Sequence, residues 1–396
     1  MGEKRKSLWR RAPKQPGPKR FCSPYPEMLQ KMELHLKYPK FSQKKMNKYL
    51  DTDTKRAALA ASLSVVALMS YTGEKELKKC SGTIIEADND VGIVLTSANL
   101  IRRPTDEEFV QNALADDLKV VVVPGDGQAY EGEICAFDFH YNLVAIRFKA
   151  NSPLRSAKLR LVDDSVNINP QHGLGEETAF QLKRHSSLFK LFPGQAVIGI
   201  GRYFAEPYEL MAAPGEFSLG CCDYDCKELF QALCRMTSCG DGGPLINQSG
   251  EVIGIAFYDI FQTPFLPINL VCKWWEHYKR HGELRRSFVA MQATNLYAAD
   301  LELVDRIIRK FPSIYKGVIV EQVIPGSSLC VDDVIIECAG RAVHSFLELC
   351  EMMWDNVGDA VDLVVARADH DTLLKLKMTV TEATPDKLNR WHHWRR

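Results

Sequence analysis

Thr237–Asn247 reads TSCGDGGPLIN and is followed by the apolar run Glu251–Ala256, which reads EVIGIA. Gly242 and Gly243 predict a tight turn, because glycine adopts backbone angles that other residues avoid. Pro244 supports the turn by fixing its own φ angle. The apolar run after the turn predicts a buried strand. A turn of this kind presents its apex residue, here Asp241, at the start of a strand.

The residues on either side of this turn form short β-type runs separated by turn residues such as Asp88–Asp90 and Pro124–Gly127. Many short strands without intervening helical patterns predict a mainly β fold, a barrel or a sandwich. The region closes with Leu270–Lys279, whose apolar spacing is helical. The predicted strands are Leu63–Met69, Cys80–Glu86, Gly92–Ser97, Val120–Val123, Gln128–Ala136, Leu143–Phe148, Gln195–Gly201, Gly243–Asn247 and Val252–Phe257.

A second unit, from about residue 287, mixes helical and strand patterns and predicts a small α+β module. Ser345 and Glu348 form a capping-box start for one of its helices. The predicted helices are Asp300–Phe311 and Ser345–Trp354, and the predicted strands are Gly317–Val323, Asp333–Glu337, Ala360–Ala366 and Thr372–Val380.

Composition places the chain among soluble globular proteins. Its 396 residues are 46% hydrophobic and carry no net charge, and no apolar run reaches the roughly 20 residues of a membrane span. Twelve cysteines without a secretory signal predict reduced thiols in an intracellular compartment. One group of cysteines lacks zinc-ligand spacing and predicts packed thiols, with metal binding or a redox-sensitive loop as the alternative. That group is Cys221, Cys222, Cys226, Cys234 and Cys239.

Both ends of the chain are basic. Residues 1–55 begin with many Lys, Arg and Pro residues, which predict a disordered tail. This tail reads as a nuclear signal or nucleic-acid patch, or as a solvated arm. The nucleus or cytoplasm is the favoured compartment, with a chloroplast or mitochondrion as the alternative. Residues 386–396 form a basic and aromatic tail, which we expect to pack rather than to stack on bases.

Five short motifs, in shared order and spacing, resemble the HtrA/Deg (protease Do-like) family. This resemblance covers roughly residues 60 to 385 and implies a trypsin-like double β-barrel followed by a PDZ domain. The implied domains are residues 56–283 for the protease-like part and 284–385 for the PDZ domain. The motifs are Cys80–Ile85, Val94–Leu100, Asn142–Ile146, Gly242–Leu245 and Gly317–Val320.

The resemblance also locates the three positions of a Ser-His-Asp triad, and each holds a different residue here. Asn99 stands where the family has the histidine, Asn142 where it has the aspartate and Asp241 where it has the serine. A serine hydroxyl needs an imidazole to accept its proton and a carboxylate to orient that imidazole. We therefore expect no serine-protease activity from these residues.

The oxyanion hole is also altered, since Cys239 replaces a glycine that the family uses for one of the donors. The carboxylate of Asp241 would repel a developing oxyanion there. An active endopeptidase that uses other residues is the alternative, with His140 and Cys239 as the unconventional pair. A pairing of Asp241 with Asp138 as two aspartates is less favoured, because that chemistry needs a dedicated cleft.

The PDZ resemblance implies that an extended peptide adds as a strand beside the helix Ser345–Trp354. The loop that would receive its carboxylate is Phe288, Val289, Ala290 and Met291. Ala290 replaces the usual glycine of that loop, and Leu329–Asp332 is shorter than the family's stretch. A purely structural PDZ domain is the alternative.

We therefore expect a catalytically inactive HtrA/Deg-like homologue that acts as a protein-binding scaffold or modulator. The resemblance implies protein or peptide partners, and a homo-trimer or a mixed oligomer with an active relative. No cofactor, metal or membrane partner is expected. A nuclear, nucleic-acid-associated protein that acts through the basic tail is a further alternative.

Overall fold

The structure is a computed structural model that describes residues 47–104, 112–171, 188–219, 224–288, 291–323 and 327–391. The chain divides into two units, residues 1–50 and 51–396. In the first unit, the described residues contain a 3-10 turn at Asn47–Tyr49. The sequence predicts a disordered tail over residues 1–55, and residues 1–46 of this tail lie outside the described residues. The second unit begins with helix α1, Thr52–Ala61, whose N-cap Asp51 accepts a hydrogen bond from the Thr54 N–H at 2.8 Å.

Six strands build the first barrel: β1 Val65–Thr72, β2 Lys75–Asp88, β3 Val91–Ser97, β4 Leu118–Val123, β5 Tyr130–Asp138 and β6 Leu143–Lys149. They pair in the order β1-β2-β3-β6-β5-β4, and β1 pairs with β4 to close the sheet. Val66 and Leu68 on β1 point into the barrel core. Ala67 and Met69 on its opposite face pack in a separate apolar cluster with Val123. Because both faces are buried, β1 is continuously apolar rather than alternating.

The second barrel follows a short parallel pair, β7 Val162–Asp163 and β8 Phe189–Lys190. Its strands are β9 Ala196–Arg202, β10 Leu210–Ser218, β11 Phe230–Ala232, β12 Pro244–Ile246, β13 Val252–Ala256 and β14 Thr263–Pro267. They close in the order β10-β11-β14-β13-β12-β9. Helix α2, Ile268–His281, then packs its apolar face on this barrel and ends at Gly282, whose φ of 70° forms a left-handed cap.

The prediction of a mainly β fold is confirmed, and the strands form barrels rather than a sandwich. Each strand predicted from the sequence in this region overlaps a strand of the structure. Three strands of the second barrel were missed, namely β10, β11 and β14. β10 contains Pro214 and β14 contains Pro264 and Pro267, and proline usually argues against a strand because it lacks an N–H donor. β11 is only three residues long.

The C-terminal part is an α+β unit. Its elements are β15 Ser287–Phe288, β16 Met291–Asn295, α3 Leu301–Lys310, β17 Val318–Val323, β18 Val334–Cys338, β19 Arg341–Ala342, α4 Phe346–Asp355, β20 Ala360–Ala366, β21 Leu374–Thr379 and β22 Thr381–Glu382. The main sheet has the order β16-β17-β18-β20-β21, so β16 lies at its edge. Ser345 caps α4 by accepting a hydrogen bond from the Glu348 N–H at 3.2 Å.

One buried serine joins the two barrels. Ser81 on β2 donates its N–H to the Asp241 carbonyl at 2.8 Å and its hydroxyl to the Cys239 carbonyl at 2.6 Å. The same hydroxyl accepts the Arg202 N–H at 2.8 Å. Ser81 is fully buried, so each of these bonds satisfies a group that water cannot reach. The turn around Asp241 is thereby fixed against the first barrel.

The α+β unit contacts the barrels through a buried aromatic and acidic cluster. Tyr141 stacks on Trp354 of α4 with ring centroids 5.6 Å apart. The Tyr141 hydroxyl donates to the Glu228 carboxyl at 3.4 Å and lies 3.3 Å from the Ser287 hydroxyl. The Cys226 thiol donates to the second oxygen of Glu228 at 3.5 Å. Burial raises the pKa of Glu228 to about 7, only partly opposed by these hydrogen bonds.

This raised pKa predicts that the protein loses stability as pH rises. The unfolded chain ionises Glu228 near its ordinary pKa, whereas the folded chain keeps the proton until about pH 7. Ionisation therefore favours the unfolded state between these values. Glu228→Gln should remove this cost of ionising a buried carboxyl. The unfolding free energy of the variant minus that of wild type should therefore increase by about 3 kcal/mol from pH 4 to pH 8. Urea unfolding at both pH values measures the gain.

Glu131→Gln at an exposed position is the matched control and should show no such gain. Burial lowers the pKa of His140 to about 4, so this residue makes the protein more stable as pH rises. Its contribution is the same in wild type and in Glu228→Gln, so it cancels in the comparison. A difference between Glu228→Gln and wild type that stays constant from pH 4 to pH 8 would contradict the prediction.

Candidate functional site

The three residues predicted to occupy triad positions lie at strand ends where the barrels meet. Asn99 lies in a 3-10 turn directly after β3, and Asn142 directly precedes β6. Strands β3 and β6 pair, and the Ala98 N–H donates to the Asn142 carbonyl at 2.9 Å. Asp241 follows the 3-10 turn Ser238–Gly240 of the second barrel. The fold therefore brings these three positions to one side of the barrel junction.

Hydrogen bonds connect the three residues, through the Ser97 hydroxyl and the Asn99 backbone in one case. The Asn99 amide donates to the Asp241 carboxylate at 3.3 Å. The Asn142 amide donates to the Ser97 hydroxyl at 3.0 Å, and that hydroxyl also accepts the Asn99 N–H at 3.2 Å. The structure thus places Asn99, Asn142 and Asp241 in one network. No group in this network is a neutral imidazole or a free hydroxyl poised for attack.

Arg102 is a member of this network that the sequence analysis missed. Its guanidinium is buried and donates to the Asn142 amide oxygen at 3.1 and 3.3 Å and to the Phe139 carbonyl at 3.0 Å. It also donates to the side chain of Asn112 and lies 4.4 Å from the centroid of the Phe139 ring. An arginine after an apolar strand is an ordinary surface pattern, so no sequence signal marked it as buried.

The Arg102 charge reverses the electrostatics that a triad needs. Burial lowers the pKa of Arg102 to about 9, and the carboxylates of Asp138 and Asp241 oppose that shift. At neutral pH the guanidinium is therefore charged. A carboxylate at position 142 would stabilise an imidazolium, whereas here a cation occupies the adjacent space. An imidazolium at position 99 would be disfavoured.

Every oxygen of the Asp241 carboxylate has a donor. One oxygen accepts the Tyr258 N–H at 3.2 Å, and the other accepts the Asn99 amide and the Cys80 thiol, the latter at 3.7 Å. Asp241 is buried, so these bonds replace lost hydration. The side chain acts as a fixed acceptor that joins the turn to the Tyr258 backbone.

Two N–H groups at the turn, those of Gly240 and Asp241, are directed at carbonyl groups of the turn itself. The Gly240 N–H donates to the Thr237 carbonyl at 2.9 Å, and the Asp241 N–H points to the Ser238 carbonyl at 3.4 Å. An oxyanion hole needs such groups directed at the substrate. Gly242 has a φ of 73°, and a Cβ there would lie 2.2 Å from the Thr96 hydroxyl, so glycine is required at this position.

The structure gives Cys239 and His140 separate partners. The Cys239 thiol is buried 2.9 Å from the Thr237 hydroxyl, and burial raises its pKa to about 11. The thiolate, which is the nucleophilic form, is therefore scarce at neutral pH. His140 is buried beside Asn389, whose N–H it accepts at 3.3 Å. Asp138 forms an ion pair with Arg286 at 2.8 Å.

Two residues of the predicted carboxylate loop are described. Phe288 lies in β15, with the Lys387 ammonium 5.7 Å from its ring centroid, and Met291 begins β16 as a buried residue. Val289 and Ala290 lie outside the described residues. Neither described side chain supplies an obvious donor for a carboxylate.

The structure describes only some of the cysteines and tail residues that the sequence analysis singled out. Cys221, Cys222, residues 1–46 and residues 392–396 lie outside the described residues, whereas Cys226 and Cys234 are buried thiols. Across the described ranges, no cluster of three or more His, Cys, Asp or Glu residues could hold a metal ion. No helix in these ranges is both long and apolar enough to cross a membrane.

Comparison with known proteins relates the chain to a group of peptidases. Residues 80–255 match the family described as trypsin-like peptidase domain. A putative protease Do-like 14 of Arabidopsis thaliana is 28% identical over 371 residues, which cover 87% of this chain and 75% of that protein. The serine protease HTRA1 of Xenopus tropicalis is 22% identical over 309 residues, which cover 74% of this chain and 58% of that protein.

A solved structure shares the fold. The HtrA-type protease AlgW with tripeptide aligns with a TM-score of 0.51 at 18% sequence identity, over 84% of this chain and 98% of that chain. The double barrel, the order of its strands and the sequence matches agree on one relationship. Residues 80–255 match a trypsin-like peptidase domain, and the chain is similar to HtrA/Do-like serine proteases in sequence and in fold.

Proposed function

We propose that this protein is a catalytically inactive relative of the Do-like proteases that binds peptides or proteins as a scaffold or modulator. The observation that carries the proposal is the hydrogen bond of 3.3 Å from the Asn99 amide to the Asp241 carboxylate. In a working triad, the same two positions hold a base and the hydroxyl that it deprotonates. An amide donor and a carboxylate acceptor can exchange no proton in this way at neutral pH.

The surroundings of this pair support the proposal. Arg102 supplies a positive charge where a triad has a negative one, and the N–H of Asp241 is directed into its own turn. The same contacts are well suited to stability, because buried polar groups are expensive unless they are paired. The cleft is thus built as a hydrogen-bonded junction between the barrels.

The C-terminal unit provides the proposed binding surface. β16 lies at the edge of its sheet, and an extended peptide can add to a sheet edge as a further strand. A cavity of about 360 Å³ lies against this strand and is bordered by Gln292, Ala293, Thr294 and Phe346. A peptide added to β16 would lie beside the first turn of α4, as a PDZ domain holds its ligand.

The barrels would take part in this recognition. The cavity beside β16 is closed on its other side by residues of the second barrel, including Phe217, Leu229 and Gln231. Helix α4 is fixed to the barrels through Trp354 and through the ion pair of Lys273 with Asp355 at 2.6 Å. Peptide specificity would therefore depend on both parts of the chain, in a homo-oligomer or in a mixed oligomer with an active relative.

The inactive cleft is tested with a fluorophosphonate probe and unfolded casein. We expect neither labelling nor cleavage, because loss of a complete triad lowers kcat by about 10⁶-fold. The Asp241→Ala chain should be indistinguishable from wild type in both assays. Trypsin serves as the positive control for the reagents.

Cys239→Ser and His140→Gln test the unconventional pair in the same assays. Casein cleavage by wild type that disappears in either variant would establish an active endopeptidase and overturn the proposal. Labelling that disappears in Asp241→Ala would do so as well. Cleavage that persists in all three variants would indicate a contaminating protease, since none of the three positions would be involved.

The binding surface is tested with a library of peptides that have free C-termini, screened against the full chain. We expect binders whose affinity falls at least roughly tenfold in Ala293→Arg, because the new side chain would fill the cavity beside β16. Gln322→Arg places the same residue at an exposed position on the neighbouring strand and should leave affinity unchanged. A library without binders, or equal losses in both variants, would contradict a peptide site at β16.

A further inference from the structure

The described C-terminal segment Leu388–Trp391 returns from the α+β unit and lies against both barrels. Leu388 packs against the core of the first barrel. Trp391 is only 1% exposed, although it lies at the end of the described chain. A segment of this kind would usually be solvated, so its burial needs specific contacts.

Trp391 fills an aromatic pocket. Its ring centroid lies 4.9 Å from that of Phe257 and 5.3 Å from that of Tyr224. Its indole N–H donates to the His140 carbonyl at 3.2 Å. The pocket thus combines apolar walls with one acceptor, which is the environment that an indole ring prefers when it is buried.

Asn389 and Arg390 make polar contacts on either side of this pocket. The Asn389 N–H donates to the His140 imidazole at 3.3 Å, and its amide donates to the His140 carbonyl at 3.1 Å. The Arg390 guanidinium donates to both carboxylate oxygens of Asp225 at 2.7 and 3.2 Å. The Arg390 N–H donates to the same carboxylate at 3.2 Å. Three consecutive residues are therefore each recognised through their own side chain.

The contacted residues flank the cleft described above. His140 lies two residues before Asn142 in the first barrel. Phe257 directly precedes Tyr258, whose N–H is bonded to the Asp241 carboxylate in the second barrel. Leu388–Trp391 consequently contacts both barrels, at residues close in sequence to Asn142 and Tyr258.

We propose that His140, Tyr224, Asp225 and Phe257 form a binding site for peptides with the sequence Asn-Arg-Trp, which the chain fills with its own residues 389–391. The ligand class is an extended peptide with a basic residue followed by tryptophan. The tethered copy is present at an effective concentration of about millimolar, so it keeps the site closed to weaker ligands in trans. This site does not depend on the peptide site proposed at β16.

The test is competition in the full chain. The probe is a fluorescein-labelled, C-terminally amidated peptide of residues Lys387–Trp391 (KLNRW). Fluorescence polarisation should show that it binds the Trp391→Ala chain at least roughly tenfold more tightly than wild type, because the variant has lost the anchor of its tethered copy. The probe with alanine in place of the tryptophan should bind that variant roughly 30-fold more weakly.

Trp391→Phe is a second variant that keeps an aromatic ring but loses the indole N–H and part of the ring surface. It should bind the probe with an affinity between those of wild type and Trp391→Ala. A charge swap tests the ion pair, which is partly exposed and should contribute only a few-fold. A probe with glutamate in place of arginine should lose this few-fold affinity on the Trp391→Ala chain. It should recover the affinity on a Trp391→Ala chain that also carries Asp225→Arg.

Tyr224 and Asp225 also border the cavity beside β16, so the two sites must be separated. Adding Ala293→Arg to Trp391→Ala should leave probe affinity unchanged. Probe binding that disappears with Ala293→Arg would assign the peptide to that cavity and overturn the proposal. Equal affinity for wild type and both Trp391 variants, or no binding to either variant, would overturn it too.

Discussion

The hydrogen bonds of Ser81 hold together the part of the molecule on which everything else depends. One residue of β2 donates to the carbonyl groups of Cys239 and Asp241 and accepts the N–H of Arg202. The chain connection between the two barrels does not by itself fix their relative orientation, and apolar packing is not directional. These bonds fix the Asp241 turn against β2, so they hold the shape of the cleft between the barrels.

The charged side chains of the cleft offset one another. Arg102 brings a buried positive charge to the cleft, and the carboxylates of Asp138 and Asp241 offset it. The Asn99 amide donates to Asp241 and the Asn142 amide oxygen accepts from Arg102, whereas the Asn99 amide oxygen is buried without a hydrogen-bond partner. A single substitution in a working triad would leave unpaired polar groups, which are costly when buried. In this cleft the Asp241 carboxylate and the Arg102 guanidinium both have hydrogen-bond partners, as a structural role for the cleft requires.

Much of the fold could be predicted from the sequence, because barrel strands with one buried face carry readable patterns. Gly242, Gly243 and Pro244 located the turn. The rest depended on tertiary contacts. Pro214 and Pro264 hid two strands, Arg102 looked like a surface residue, and Trp391 lies in a segment expected to be a tail. Local pattern does not show which distant groups will bury or pair such residues.

The unfolding free energy of Asp241→Ala tests most directly whether the cleft is structural. Removing the carboxylate leaves the Tyr258 N–H and the Asn99 amide without their acceptor. We predict a loss of roughly 1–3 kcal/mol relative to wild type, measured by urea unfolding at pH 7. Residues kept for catalysis often cost stability, so their removal commonly leaves a protein as stable or more stable. An Asp241→Ala chain as stable as wild type, or more stable, would contradict the structural role.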